Sequence, residues 1–213
     1  RIAYGETKAK SINLKKLDSI ELAELQLHSN ERLARHARRI LQERAEYGKD
    51  LRKAKQRLEQ ILSENPNVTR KLRALWCLHS MGELDGNQLI ALLRHKEEHI
   101  RVWAIQLLVE FGAPNSEIID LFTSIAKIEK SALVRLYLAS ALRKLPLEKR
   151  WPLANALGKR EDLNEDPVFP LMLWYGIESA VSANPAAALK MVTSCKISKI
   201  QQFIPRRLTA IKN

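Results

Sequence analysis

The sequence predicts an all-α protein, and three observations support this class. Leu, Ala, Lys, Arg and Glu dominate the chain, and residues of this kind favour helix. Only seven Gly and eight Pro occur among 213 residues, and no β-branched or aromatic segment alternates with polar residues over a strand length. Apolar residues recur instead at helical spacing, as at Ile100, Ala104, Leu107, Leu108 and Phe111. The hydrophobic fraction of 46% is enough for a sizeable core.

Start and stop signals divide the first half of the chain into six helices. Asp18 and Glu21 form a capping-box pattern at the start of the first helix. Gly48, Pro66 and Gly82 mark turns between later helices. The predicted helices span about 18–27, 31–46, 50–63, 68–82, 85–95 and 99–111.

Six further helices follow in the second half. Gly112 and Pro114 break the chain, Pro146 ends a helix, and Pro185 begins another, as proline does at the first helical position. The predicted helices span about 118–128, 131–145, 148–159 and 168–181, with one from 185 and one from about 197.

The second helices of successive pairs share a register, and Arg follows the register residue at Arg73, Arg101 and Arg135. The steps lie between 28 and 39 residues. The register residues are Leu33, Leu72, Ile100, Val134, Val168 and Ile200. One helix pair cannot bury its own apolar face, so repeats of this size stack. The sequence therefore predicts an α-α superhelix, a HEAT- or armadillo-like solenoid of about six antiparallel helix pairs, as a single domain over 17–213.

The formal charge is 36 − 24 = +12, and it is unevenly distributed. Ten Lys/Arg and four Asp/Glu lie between Glu31 and Arg57, and six Lys/Arg with no acid lie between Lys190 and Asn213. Neighbouring helices of a solenoid align their faces, so the first group is the candidate binding surface for phosphates, anionic lipid or an acidic protein. The alternative is a solvated face. The candidate residues are Arg32, Arg35, Arg38, Arg39, Arg52, Lys53, Lys55 and Arg57.

Two polar segments resemble metal sites but fit other interpretations better. His95 to His99 matches H-x-x-E-H, the inverted zinc-protease motif, yet it spans a predicted turn that would point the two imidazoles apart. The acidic residues 161–166 lack the ordered spacing of a calcium loop. The chain also shows no Gly-rich phosphate loop and no partner pattern for a nucleophile. We therefore expect no catalytic residue, cofactor or metal ligand. A zinc hydrolase that uses His95 and His99 ranks third, behind a protein-interaction or spacer role and behind nucleic-acid binding.

The aromatic and sulfur residues also have two interpretations. The tryptophans either stack nucleobases or act as wedges between repeats, and the second is favoured for those in apolar segments. The two cysteines lie far apart in apolar helical patterns and are predicted to be small buried hydrophobes. These residues are Trp76, Trp103, Trp151, Trp174, Cys77 and Cys195.

Three segments, 28–44, 72–79 and 166–175, together resemble the HEAT-like middle region of planctomycete-type membrane-bound dehydrogenase proteins. That family combines an N-terminal β-propeller, this helical region and a C-terminal c-type cytochrome domain. The polar, basic residues 1–16 resemble an extended lead-in from the propeller. The chain begins with Arg, so it is interpreted as a piece of a longer protein whose targeting information is missing. The resemblance implies a periplasmic or exported protein; without it, a cytoplasmic location is expected.

The resulting functional prediction is a non-catalytic repeat module that acts as spacer or protein-interaction scaffold in a larger dehydrogenase-like protein. Its expected partners are neighbouring domains of the parent chain or an acidic protein. The alternative is a nucleic-acid-binding HEAT-like protein of the DNA-glycosylase type that uses the basic face. No apolar stretch is long enough for a transmembrane helix.

Overall fold

The computed structural model describes residues 13–210. Within this range every regular element is helical, with twelve α-helices and five short 3-10 turns, so the predicted all-α class is confirmed. The chain forms two compact units, Arg1–Asp85 and Gly86–Asn213.

The first unit contains four α-helices in its described part. They are α1 (Ser19–Glu24), α2 (Glu31–Glu46), α3 (Arg52–Glu64) and α4 (Val68–Ser80). The predicted capping box begins α1: the Glu21 N–H donates to Asp18 Oδ1 at 2.8 Å, and the Asp18 N–H donates to Glu21 Oε2 at 2.7 Å. Asn30 and Asn67 accept from the first turns of α2 and α4, which satisfies N–H groups that the helices leave free.

The four helices pack as two pairs that share one core. α1 packs against α2 and α3 packs against α4, while α1 also contacts α3 and α2 contacts α4. The predicted apolar stripe of the third helix is wholly buried, and it comprises Leu51, Ala54, Leu58, Ile61 and Leu62. Each pair therefore covers an apolar face that the other would leave in water.

The end of the predicted extended lead-in is a helical turn. Leu14–Lys16 form a 3-10 turn, and the Leu14 side chain is buried. Arg44 of α2 holds this segment by donating to Leu17 O at 2.6 Å and to Ser19 Oγ at 2.9 Å. The rest of the lead-in, residues 1–12, lies outside the described residues, as does the predicted inward residue Ile211.

The second unit contains eight α-helices in its described part. They are α5 (Gly86–Leu92), α6 (Glu98–Leu108), α7 (Ser116–Ile128), α8 (Ala132–Ala141), α9 (Arg150–Gly158), α10 (Phe169–Ala183), α11 (Pro185–Ser194) and α12 (Ser198–Ala210). Asn115, Ser131 and Asn184 cap α7, α8 and α11 through their side chains. Pro185 takes the first position of α11, as the sequence predicts.

Helix pairs also stack in this unit. α6, α8, α10 and α12 pack in succession as one layer, and α7, α9 and α11 as the other. Two glycines allow close approach within the layers. A Cβ on Gly176 of α10 would lie 2.8 Å from Leu142 Cβ, and one on Gly158 of α9 would lie 2.9 Å from Met191 Cε.

One residue of the apolar pattern and two register residues lie elsewhere than predicted. Phe111 is 88% exposed because α6 ends at Leu108, three residues earlier than the apolar pattern suggests. Val168 is the N-cap of α10 and is exposed, while Phe169 takes the buried position. Leu33 is half-buried, and the next residue, Ala34, lies in the core instead. The pattern identified the correct helices but missed the register by one residue at two of them.

Consecutive helices thus form six pairs within residues 13–210, and the pairs stack inside each unit. The superhelical path and the single continuous domain over 17–213 stay predictions.

Candidate functional site

Two outward arginines of α2 form ion pairs with acids on the same helix. Arg35 Nε lies 3.1 Å from Glu31 Oε1, and Arg39 Nε lies 2.9 Å from Glu43 Oε1. Both are i, i+4 pairs on an exposed surface, where such pairs are weak. Arg32 is exposed and has no ion pair with any residue in the described range.

Arg38 faces the interior of the unit rather than the predicted surface. Its guanidinium lies 5.5 Å from the ring centroid of Trp76 on α4, a distance at which a cation is attracted to the ring face. Burial lowers the pKa of Arg38. The residue therefore ties α2 to α4 and contributes little to an outward basic face.

Arg52 pairs with its neighbour Asp50, with Nη2 and Oδ2 at 2.7 Å. The hydrogen bond from Arg52 holds the pKa of Asp50 down at about 2. Lys53 is exposed and makes no ion pair with the residues that the structure describes.

The two remaining candidates on α3 pair with more distant acids. Lys55 Nζ lies 2.8 Å from Glu83 Oε2, and Arg57 Nε lies 2.5 Å from Glu24 Oε1. The first contact connects α3 to the segment after α4, and the second connects α3 to α1. These cations link elements of the fold as well as facing solvent.

The eight candidates do not form one basic strip. α2 and α3 belong to different layers of the first unit, and each packs mainly against α1 and α4. Five of the eight side chains have a carboxylate partner. Their role in binding stays a prediction, now centred on Arg32 and Lys53.

Arg73, the arginine that follows the register residue of α4, has a clear structural role. Arg73 donates to Gln26 O at 3.2 Å and His28 O at 2.7 Å, and it pairs with Glu31. The two carbonyls belong to the connection between α1 and α2. This buried guanidinium therefore links the second helix pair to the turn of the first.

The equivalent arginines of the second unit link two of its helix pairs to the pair that follows. Arg101 Nη1 donates to His95 O at 2.8 Å, in the turn before its own helix, and Arg101 Nε and Nη2 each donate to Glu129 at 3.0 Å. Arg135 binds its own preceding turn and lies 2.7 Å from Asp162. Each guanidinium bridges the turn of its own pair and an acid of the next pair.

The surroundings of Glu129 favour the ionised carboxylate that accepts the hydrogen bonds from Arg101. Burial alone raises the pKa of its carboxyl, but the backbone N–H of Ser131, the Arg101 guanidinium and the N–H of Lys130 together lower it below the ordinary value. The carboxylate is therefore the form that the fold stabilises.

Arg150, at the start of α9, is buried like Arg73 and Arg135 but has a different set of partners. It donates to Leu145 O at 2.9 Å, Gly176 O at 2.9 Å, Ser179 Oγ at 3.0 Å and Arg143 O at 3.2 Å. None of these partners is charged. Burial lowers the pKa of Arg150, and the nearby Arg143 cation lowers it further.

Two adjoining hollows open on the layer formed by α6, α8, α10 and α12. The first has a volume of about 610 Å³ and is lined by Trp103, Tyr137 and Arg143, among others. The second has a volume of about 460 Å³ and is lined by Arg143, Arg150, Tyr175, Glu178, Ser179 and Arg207. Sequence reasoning missed this site because its residues come from separate helices and form no local pattern.

The H-x-x-E-H segment is the turn that the sequence favours. Residues 93–97 connect α5 to α6, and within this turn His95 Nδ1 accepts the Glu97 N–H at 3.0 Å. His99 lies exposed in the first turn of α6. Across residues 13–210, no group of three or more His, Cys, Asp or Glu is placed to hold a metal ion.

The acidic loop before α10 is largely exposed, and it also links elements of the second unit. Asp162 lies 2.7 Å from Arg135 Nη1, and Asp166 Oδ1 accepts the Phe169 N–H at 2.7 Å. Asn164 Oδ1 accepts from the first residue of α12 at 2.7 Å. These side chains fix the ends of helices.

Most of the tryptophans and both cysteines pack inside their units. Trp151 is buried, and Trp174 packs against Phe203 with ring centroids 5.3 Å apart. Cys77 and Cys195 are free and buried, as predicted. Burial raises the pKa of the Cys77 thiol to about 12, so this group is unreactive in the folded chain.

Comparisons with known proteins identify no relative: no family profile, curated sequence or solved structure matches the chain. None of the helices in the described part combines the length and apolar character needed to cross a bilayer.

Proposed function

We propose that the chain is a non-catalytic stacked-helix module that acts as a protein-interaction scaffold or spacer. The observation that carries this proposal is the linking of successive helix pairs by arginines, most clearly Arg101 to Glu129 and Arg135 to Asp162. Such links fix the α5–α6 pair relative to α7–α8, and the α7–α8 pair relative to α9–α10, within the second unit. A fixed array of helices presents an extended surface to a partner or holds its ends apart.

The family resemblance supports a role inside a larger dehydrogenase-like protein. In that setting the module would hold a propeller and a cytochrome domain at a set separation, or would bind one of them. The full open reading frame tests this directly. A β-propeller upstream and a CxxCH motif downstream support the proposal, whereas unrelated flanking domains remove the dehydrogenase context.

Site-specific photo-cross-linking tests the interaction role. A photoreactive amino acid at Ser140, on the exposed side of α8 beside the first hollow, is compared with one at Ser124, on the exposed side of α7 in the other layer. Cross-links from Ser140 to a separate protein support a scaffold, and cross-links to another part of the parent chain support a spacer. Background levels at both positions contradict the proposal.

The second candidate function is nucleic-acid binding, which the net charge of +12 and the exposed Arg32 and Lys53 favour. It has less support because five of the eight basic candidates have carboxylate partners. A gel shift with duplex DNA at physiological ionic strength tests it, since phosphate contacts make binding strongly salt-dependent. A shift that is lost in R32E/K53E but kept in K190E would replace the first proposal.

A further inference from the structure

We propose that the two adjoining hollows of the second unit bind an acidic peptide segment, with one of its carboxylates held by Arg143, Arg150 and Arg207. The inference rests on the proposed interaction role and names the site and the chemistry of the partner.

Arg150 has no counter-charge among the described residues. Arg73, Arg101 and Arg135 each bind backbone carbonyls and also a carboxylate of the chain. Arg150 is only 8% exposed, yet within residues 13–210 it binds three carbonyls and one hydroxyl and no acid. A buried cation without an anion is costly, so this position favours an anion supplied from outside.

Two further cations, Arg143 and Arg207, line the same hollow as Arg150. Arg143 and Arg207 are exposed and line it together with Arg150. Neither Arg143 nor Arg207 forms an ion pair with a residue of the described range. Three arginines from α9, α12 and the turn after α8 thus line one open volume of about 460 Å³. Guanidinium forks match the two oxygens of a carboxylate.

The lining of the two hollows favours a peptide carboxylate over a phosphate group. Glu178 lines the same hollow, and its charge repels a doubly charged phosphate more strongly than a singly charged carboxylate. The larger hollow continues from Arg143 and is lined by Trp103 and Tyr137. Aromatic walls of this kind accept an apolar side chain next to the acid. An acidic peptide with interspersed apolar residues therefore fits both hollows.

Fluorescence anisotropy with the whole chain tests the proposal. The probe is a labelled peptide of alternating Glu and Leu, and the matched probe replaces every Glu by Gln. R143E/R207E reverses two exposed charges of the site and leaves the buried Arg150 in place. K159E/K190E makes the same charge change at exposed positions of the same unit outside both hollows.

The Glu-Leu peptide is expected to bind at least about tenfold more tightly than the Gln-Leu peptide. R143E/R207E should weaken binding by about tenfold or more, K159E/K190E should change it less than about threefold, and E178Q should strengthen it. Equal binding of both peptides, or equal loss in both double variants, overturns the proposal. Displacement of the peptide by inorganic phosphate at a concentration where chloride has no effect also overturns it, because the site then selects phosphate.

The same variants separate this inference from the proposed function. If photo-cross-links from Ser140 persist in R143E/R207E, the module still interacts beside the first hollow, but Arg143 and Arg207 do not hold the partner. If cross-links are absent in the unaltered chain while the Glu-Leu peptide binds, the peptide site stands and the scaffold role fails.

Discussion

Replacing Arg101 by Met removes a contact between successive helix pairs of the second unit and leaves the largely covered Glu129 carboxylate without its cation. Met keeps most of the apolar stem of the side chain and the helix propensity of Arg. The substitution therefore tests the ion pair and its hydrogen bonds rather than the packing of α6.

The structure sets the expected magnitude. The two contacts between the guanidinium and the carboxylate are both 3.0 Å, and the side chains of Arg101 and Glu129 are 16% and 9% exposed. Removing one partner of a buried pair costs about 3–5 kcal/mol. Glu129 keeps hydrogen bonds from the N–H groups of Lys130 and Ser131, so we expect a loss of about 2–3 kcal/mol.

Urea unfolding followed by far-ultraviolet circular dichroism measures this loss at neutral pH. Since the chain has two compact units, amide hydrogen exchange in α6 and α8 should confirm that the change is local to the second unit. R39M is the matched control, because Arg39 and Glu43 form an exposed pair at 2.9 Å, worth about 0.3–0.5 kcal/mol.

A double variant completes the argument. R101M/E129Q removes the unpaired charge and should recover about 1–2 kcal/mol relative to R101M. If R101M costs no more than R39M, or if the double variant is no more stable than R101M, the arginine link does not contribute as described.

Three further outcomes follow from the same structure. Gly176→Ala should destabilise the chain by about 1–3 kcal/mol because its Cβ would meet Leu142 at 2.8 Å. Gly158→Ala should cost less because its Cβ would meet the flexible end of Met191. Equal losses in urea unfolding would contradict the packing of α10. Alkylation of Cys77 at mildly alkaline pH should be slow until urea unfolds the chain, and rapid labelling of the folded chain would refute its burial. The folded-state pKa of Glu129 is depressed, so its stabilising effect is present above its ordinary pKa of 4.5 and is lost as pH falls from that value through the lower folded-state pKa. E129Q should therefore show a shallower acid loss of stability than the unaltered chain, and identical pH profiles would contradict the assignment.

The helices could be predicted from sequence because their signals are local. The Asp18 capping box and the buried stripe of α3 follow from spacing alone. The exposure of Phe111 does not, since the apolar pattern continues past the end of α6 and does not show where its last turn opens. Periodicity identifies a helical face better than it identifies the residue at which a helix stops.

The candidate site was less accessible to sequence reasoning. Charge density on α2 and α3 identified basic residues, but not the acids that neutralise five of them. Arg73, Arg101 and Arg135 were recognised as a repeated feature, although their role depends on carbonyls and carboxylates of other turns. The Arg143, Arg150 and Arg207 group requires three elements to be packed before it exists.

The stacking of same-layer helices is the central claim, and proton nuclear Overhauser effects across α8–α10 and α9–α11 test it most directly. We expect strong cross-peaks between the Leu142 methyl groups and Gly176 Hα, and between the Met191 methyl group and Gly158 Hα. The absence of both cross-peaks in a folded, helical sample would contradict the account, because these helices would then not lie side by side.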